Sequence, residues 1–93
     1  MVSREDLEMV VNDVIGSLEI YPDRRLAVDF LSYLLTGDRF YVDDLVRYKN
    51  DLINRLRQCS GGSEECYRLA SLLGIVDEIL MFLSSHRIRI EVV

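Results

Sequence analysis

Residues 64–85 read EECYRLASLLGIVDEILMFLSS, and this stretch decides the fold class. At about 100° per residue, Leu69, Leu72, Leu73, Ile75, Val76, Ile79, Leu80, Phe82 and Leu83 fill about half of a helical circumference. Glu64 and Glu65 stand in the first turn, where the helix dipole favours an anion. One neighbouring helix does not cover so broad an apolar arc. The segment is therefore expected at the centre of a bundle, with part of it against a second copy. The candidate self-association face comprises Leu69, Leu72, Ile75, Val76, Ile79, Phe82 and Leu83.

Upstream, Ser60-Gly-Gly-Ser63 breaks the helical period and reads as a turn between helices. Cys59 and Cys66 bracket it, which leaves two states open. A disulfide would staple the hairpin, closing a ring of about eight residues and contributing roughly 2–3 kcal/mol. Two reduced thiols would pack as small apolar groups. One histidine far along the chain does not complete a tetrahedral metal set with these thiols, and the spacing is not the Cys-x-x-Cys of redox enzymes.

The helix before the loop is expected over 43–58, capped by Asp43 or Asp44. Its apolar side carries Leu45, Val46, Tyr48, Leu52, Ile53, Leu56 and Cys59, with Lys49 falling inside that arc. The linker Gly37-Asp-Arg-Phe-Tyr-Val-Asp43 has the aromatic and β-branched content of a short extended segment. A further helix is expected over 23–36, with Leu26, Phe30, Leu31, Tyr33, Leu34 and Leu35 apolar, Asp29 and Ser32 toward solvent, and Gly37 as its left-handed stop. Arg24 and Arg25 lie near the positive end of its dipole, for which nothing local gives a reason.

The first helix is expected over 4–21. Leu7, Val10, Val11, Val14, Ile15 and Leu18 fall within an arc of about 140°. Ser3 and Asp6 form a capping pair, and Pro22 forces the preceding residue out of the helical region. At the other end the period changes from 3.6 to 2 in Arg87-Ile-Arg-Ile-Glu-Val-Val93, the pattern of a half-buried strand over 87–92. Such a strand must pair, with 39–42, with its counterpart in a dimer, or with another protein's sheet edge. The reading is one all-α domain over 1–93, a compact four-helix bundle-like fold with a short C-terminal β-strand.

Ten arginines stand against one lysine, Lys49, in a chain of net charge -5. Residues 1–44 hold ten acids and four bases, net -6, and residues 45–93 hold six acids and seven bases, net +1. The acidic total argues against bulk electrostatic binding to nucleic acid, and the partition confines any anionic partner to 43–58 and the tail. The candidate anion contacts there are Arg47, Arg55, Arg57, Arg87 and Arg89. Pairing of these arginines with the acidic first half is the simpler reading. The scarcity of Gln, Thr, Pro and Trp leans toward a thermophilic source. No apolar run approaches the roughly 18 residues of a membrane span, and the amino terminus lacks the order of a signal peptide, so a cytoplasmic location is expected.

The element order resembles the topology of winged-helix DNA-binding domains, in topology alone. The helix at 64–85 shows Arg68 and Ser71 and then Asp77 and Glu78, and one strand follows where a wing needs two. His86 is placed to meet the negative end of the last helix, and neither it nor Ser84 and Ser85 has catalytic spacing. No nucleophile elbow, phosphate loop or paired metal carboxylates appear. The expected function is a non-catalytic protein–protein interaction module, a homodimer or a subunit of a larger assembly, with no enzyme activity and no cofactor or metal. The alternative is a small winged-helix-like transcription regulator using 43–58 and the arginine-containing tail.

Overall fold

The computed structural model describes residues 4–85, which form four helices: α1 Arg4–Ile20, α2 Arg24–Thr36, α3 Arg39–Gln58 and α4 Glu64–Ser85. Among the described residues there is no strand, and the strand expected over 87–92 lies outside them. α3 packs against α2 on one side and α4 on the other, and α1 lies against α4.

The joints explain the helix limits. Asp23 is extended (φ -145°, ψ 112°), and its carboxylate accepts a 2.9 Å hydrogen bond from the Leu26 N–H, capping α2. Gly37 takes the left-handed conformation at φ 66° and donates its N–H to the Tyr33 carbonyl, closing α2. The chain restarts at once. The Asp38 N–H donates to Thr36 Oγ1, and the Asp38 carboxylate accepts from the Phe40 N–H at 2.9 Å. α3 therefore begins at Arg39, four residues before the start at 43 that Asp43 or Asp44 would set. Phe40, Tyr41 and Val42 are helical, so no strand is formed at 39–42. Their β preference, worth a fraction of a kcal/mol each, yields to a satisfied helix cap worth about 1 kcal/mol.

At the far end of α3, Gly62 is left-handed (φ 85°) in the turn, and Ser63 Oγ accepts from the Cys66 N–H at 3.2 Å, capping α4. One cluster of buried side chains runs through all four helices, from Val10 and Val14 of α1 to Phe82 and Leu83 of α4. α4 sits between α1 and α3, and this position corrects the self-association reading of its broad arc. Leu69, Leu72, Val76, Ile79, Phe82 and Leu83 are all buried within the chain itself, and Ile75 is half-buried. Two intramolecular neighbours cover what one could not, so the arc is core and not a docking face.

Candidate functional site

Two features of α2 and its seam with α3 bear on function: a polar cluster on the inner side and an apolar stripe on the outer one. Burial divides the apolar residues of α2 between these sides. Leu26 and Phe30 face inward and are essentially inaccessible, whereas Val28, Leu31 and Leu35 are 47%, 53% and 77% exposed. At 100° per residue the three exposed side chains occupy an arc of about 60°, diametrically opposite Leu26 and Phe30. The wide arc expected for this helix is thus two faces, one packed and one open.

The polar cluster begins with Arg25. Its guanidinium reaches across to α3, where Nε and Nη2 each donate to the Asp44 carboxylate at 3.0 Å and Nη1 donates to Asp51 at 3.2 Å. The same group lies 4.8 Å from the centre of the Tyr48 ring. This bidentate fork accounts for an arginine near the positive end of the α2 dipole: its partners are on the next helix. The adjacent carboxylate completes the arrangement. Asp23 caps α2 with Oδ1 and accepts the Tyr48 hydroxyl proton bond on Oδ2, so one side chain both starts α2 and ties it to α3. Burial, followed by the hydrogen bond to Asp23 and then its charge, pushes the Tyr48 hydroxyl well above its ordinary range.

Asp29 is the unusual member. Expected at the solvent side of α2, it is 5% exposed, and its buried Oδ2 has no hydrogen-bond partner among the described residues. Burial, then hydrogen bonding to Asp44 and the like charge of that neighbour, push its carboxyl up to about 7. Asp44 moves the other way, to about 2, held down first by the Arg25 hydrogen bonds and then by the one with Asp29. The two shifts have the directions expected where two carboxyls interact and an arginine holds one of them ionised. A milder case joins α1 to α4, where burial and then Asp13 raise Glu78. Sequence periodicity places Asp29 toward solvent with Ser32, and the signal that it is buried lies on another helix.

The remaining sequence candidates are dispersed. Cys59 and Cys66 are joined as a disulfide, with Cα atoms 5.8 Å apart, across the turn that Ser63 caps. Lys49 leaves the apolar side of α3 by pairing with Asp77 of α4. Arg47, Arg55 and Arg57 are exposed on α3 and spread over about 160° of its circumference. Arg55 and Arg57 stand in the last turn, where a cation meets the negative end of the helix. Arg47 acts electrostatically on Asp29 and Asp44. Arg87 and Arg89 lie outside the described residues. Among the described residues, no set of three or more His, Cys, Asp or Glu is placed to hold a metal ion, and no helix is long and apolar enough to cross a membrane. No family model, curated protein or solved structure matches this chain.

Proposed function

We propose that this chain is a protein–protein interaction module that associates with a second copy of itself through the outer face of α2. The observation that carries the reading is the run Val28, Leu31, Leu35, exposed at i, i+3, i+7 spacing on a helix whose opposite face is already packed. Docking of a helix face uses this spacing of anchors.

Charge placement favours a second copy as the occupant. The first turn of α2 carries Arg24 and Arg25 and no acid, and its last turn carries no base. Leu31 lies seven residues after Arg24 and seven before Asp38. A two-fold axis through the paired Leu31 side chains, with the α2 helices antiparallel, brings Arg24 of each copy toward the partner's α2 C-terminus and Asp38. The basic end then meets a negative dipole end and a carboxylate, twice per dimer. Three exposed apolar side chains make a small interface, well under the roughly 1,200 Å² of standard specific complexes. The association is accordingly weak, with a dissociation constant on the order of tens of micromolar or above.

Leu31→Glu places a carboxylate against its own symmetry mate and leaves the buried face of α2 untouched. The expected result is a mass that rises with concentration for the wild type and stays monomeric for the variant, with helicity unchanged by circular dichroism. A wild type that remains monomeric at millimolar concentration, or a variant that associates equally well, contradicts the reading.

A further inference from the structure

The inner side of α2 carries a second message, independent of what docks on the outer side. The Asp29 carboxyl is buried, and among the described residues its Oδ2 has no hydrogen-bond partner. Arg25 directs all three of its contacts to Asp44 and Asp51, and among the described residues no cation forms an ion pair with Asp29. An ionised carboxylate in that position would hold a buried oxygen beside a second carboxylate.

We propose that Asp29 is a neutral acid in the folded protein and that its proton, shared with Asp44, latches α2 onto α3 as a pH-sensitive catch. The groups that face Asp29 are Asp44 and Arg47 on α3 and Arg25 on its own helix. Asp44 stays ionised because it is the acceptor of the Arg25 fork, and it is therefore the carboxylate that receives the Asp29 proton as a hydrogen bond. Arg47 and Arg25 offset part of the charge once the shared proton leaves, so the catch loosens without demanding that the fold be lost. Nothing covalent changes; a single proton moves between the seam and bulk water.

The direction follows from linkage. Asp29 binds its proton more tightly in the folded than in the unfolded chain. The stabilisation is full below about pH 4, where both states are protonated, and declines as pH rises toward about 7. Across that interval the folded chain holds one extra proton, so the seam's contribution raises the unfolding equilibrium constant by up to about tenfold per pH unit. Asp44 acts oppositely and only in acid, its contribution being lost as pH falls from about 4 toward about 2.

The experiment has two arms on the intact chain. The first follows the side-chain carboxyl carbon of Asp29 by NMR through pH 3–9. The proposal expects its main titration step close to neutrality, and a midpoint near the ordinary carboxylate value of about 4 overturns it. The second compares chemical unfolding of the wild type and Asp29→Asn from pH 4 to pH 8. Asparagine keeps a neutral donor toward Asp44 and has no proton to lose. The wild type should weaken relative to the variant across this range by a factor of about one hundred or more in the ratio of unfolding constants. Glu78 contributes the same background slope to both chains and cancels. Parallel pH profiles for the two chains overturn the proposal. The NMR arm decides the matter on the wild type if the variant fails to fold.

Discussion

The two seams that α3 makes, with α2 and with α4, are built from different chemistry. Toward α2 it presents Asp44, Tyr48 and Asp51, and the seam is tied by an arginine fork, a tyrosine–carboxylate hydrogen bond and a shared proton. Toward α4 it is tied by the disulfide across the turn, by Lys49 with Asp77 and by the fully buried core residues of α4. The first seam is specified by charge and answers to pH. The second is specified by apolar packing and a covalent staple, and answers to reductant. The connections suit these roles: Gly37 and Asp38 join α2 to α3 through a two-residue joint, while the α3–α4 turn is longer and is itself cross-linked.

Removing the staple is the largest single perturbation expected. Cys59→Ser with Cys66→Ser reopens a ring of about eight residues and should lower stability by about 2–3 kcal/mol. In a domain of this size that corresponds to a fall in Tm of roughly 10–20 °C by calorimetry. The loss should be the same at pH 5 and pH 8, because no titrating group of the α2 seam is touched. A pH-dependent loss would mean that the two seams are coupled through α3.

Next in size is Asp23→Ala, which removes the α2 cap and leaves the buried Tyr48 hydroxyl without its acceptor. The two effects together should cost about 2 kcal/mol in chemical denaturation. Hydrogen exchange should rise in the first turn of α2 before it rises anywhere in α4. Uniform exchange across both seams would show that they open as one unit. Smaller again is Arg25→Lys, which keeps the charge and discards the fork. Arg25 is two-fifths exposed in its pairs with Asp44 and Asp51, so solvent screening limits the expected loss to about 1 kcal/mol.

The contrast also explains what was readable in the sequence. Helix number, the Gly37 stop, the Ser63 start and the turn at Gly61 and Gly62 follow from local periodicity and capping, which need no knowledge of neighbours. The cysteine spacing left a disulfide and two thiols open, and the structure places the two sulfurs in bonding contact. Readings that depended on a neighbour failed. Asp29 looked solvent-facing because the helix that covers it, and the Asp44 that shares its proton, lie elsewhere in the chain. The broad arc of α4 suggested a second copy because a helical wheel counts apolar residues without saying how many helices of the same chain will meet them. Leu31 and Leu35 joined the apolar tally of α2 for the same reason, and their exposure appears only once Leu26 and Phe30 have found the core. Phe40 to Val42 misled through intrinsic preference, which the Asp38 cap overrides.

The smallest expected change in stability comes from Leu31→Glu, within about 0.5 kcal/mol, since this side chain lies outside both seams. Its effect should fall on association instead, and association is where the functional account stands or fails. Sedimentation equilibrium of the wild-type chain over a wide concentration range measures it most directly. The account predicts a mass that climbs from 10.8 kDa toward twice that value with a single dissociation constant, and a Leu31→Glu chain that stays at 10.8 kDa throughout. A wild-type mass that holds at 10.8 kDa up to millimolar concentration contradicts it.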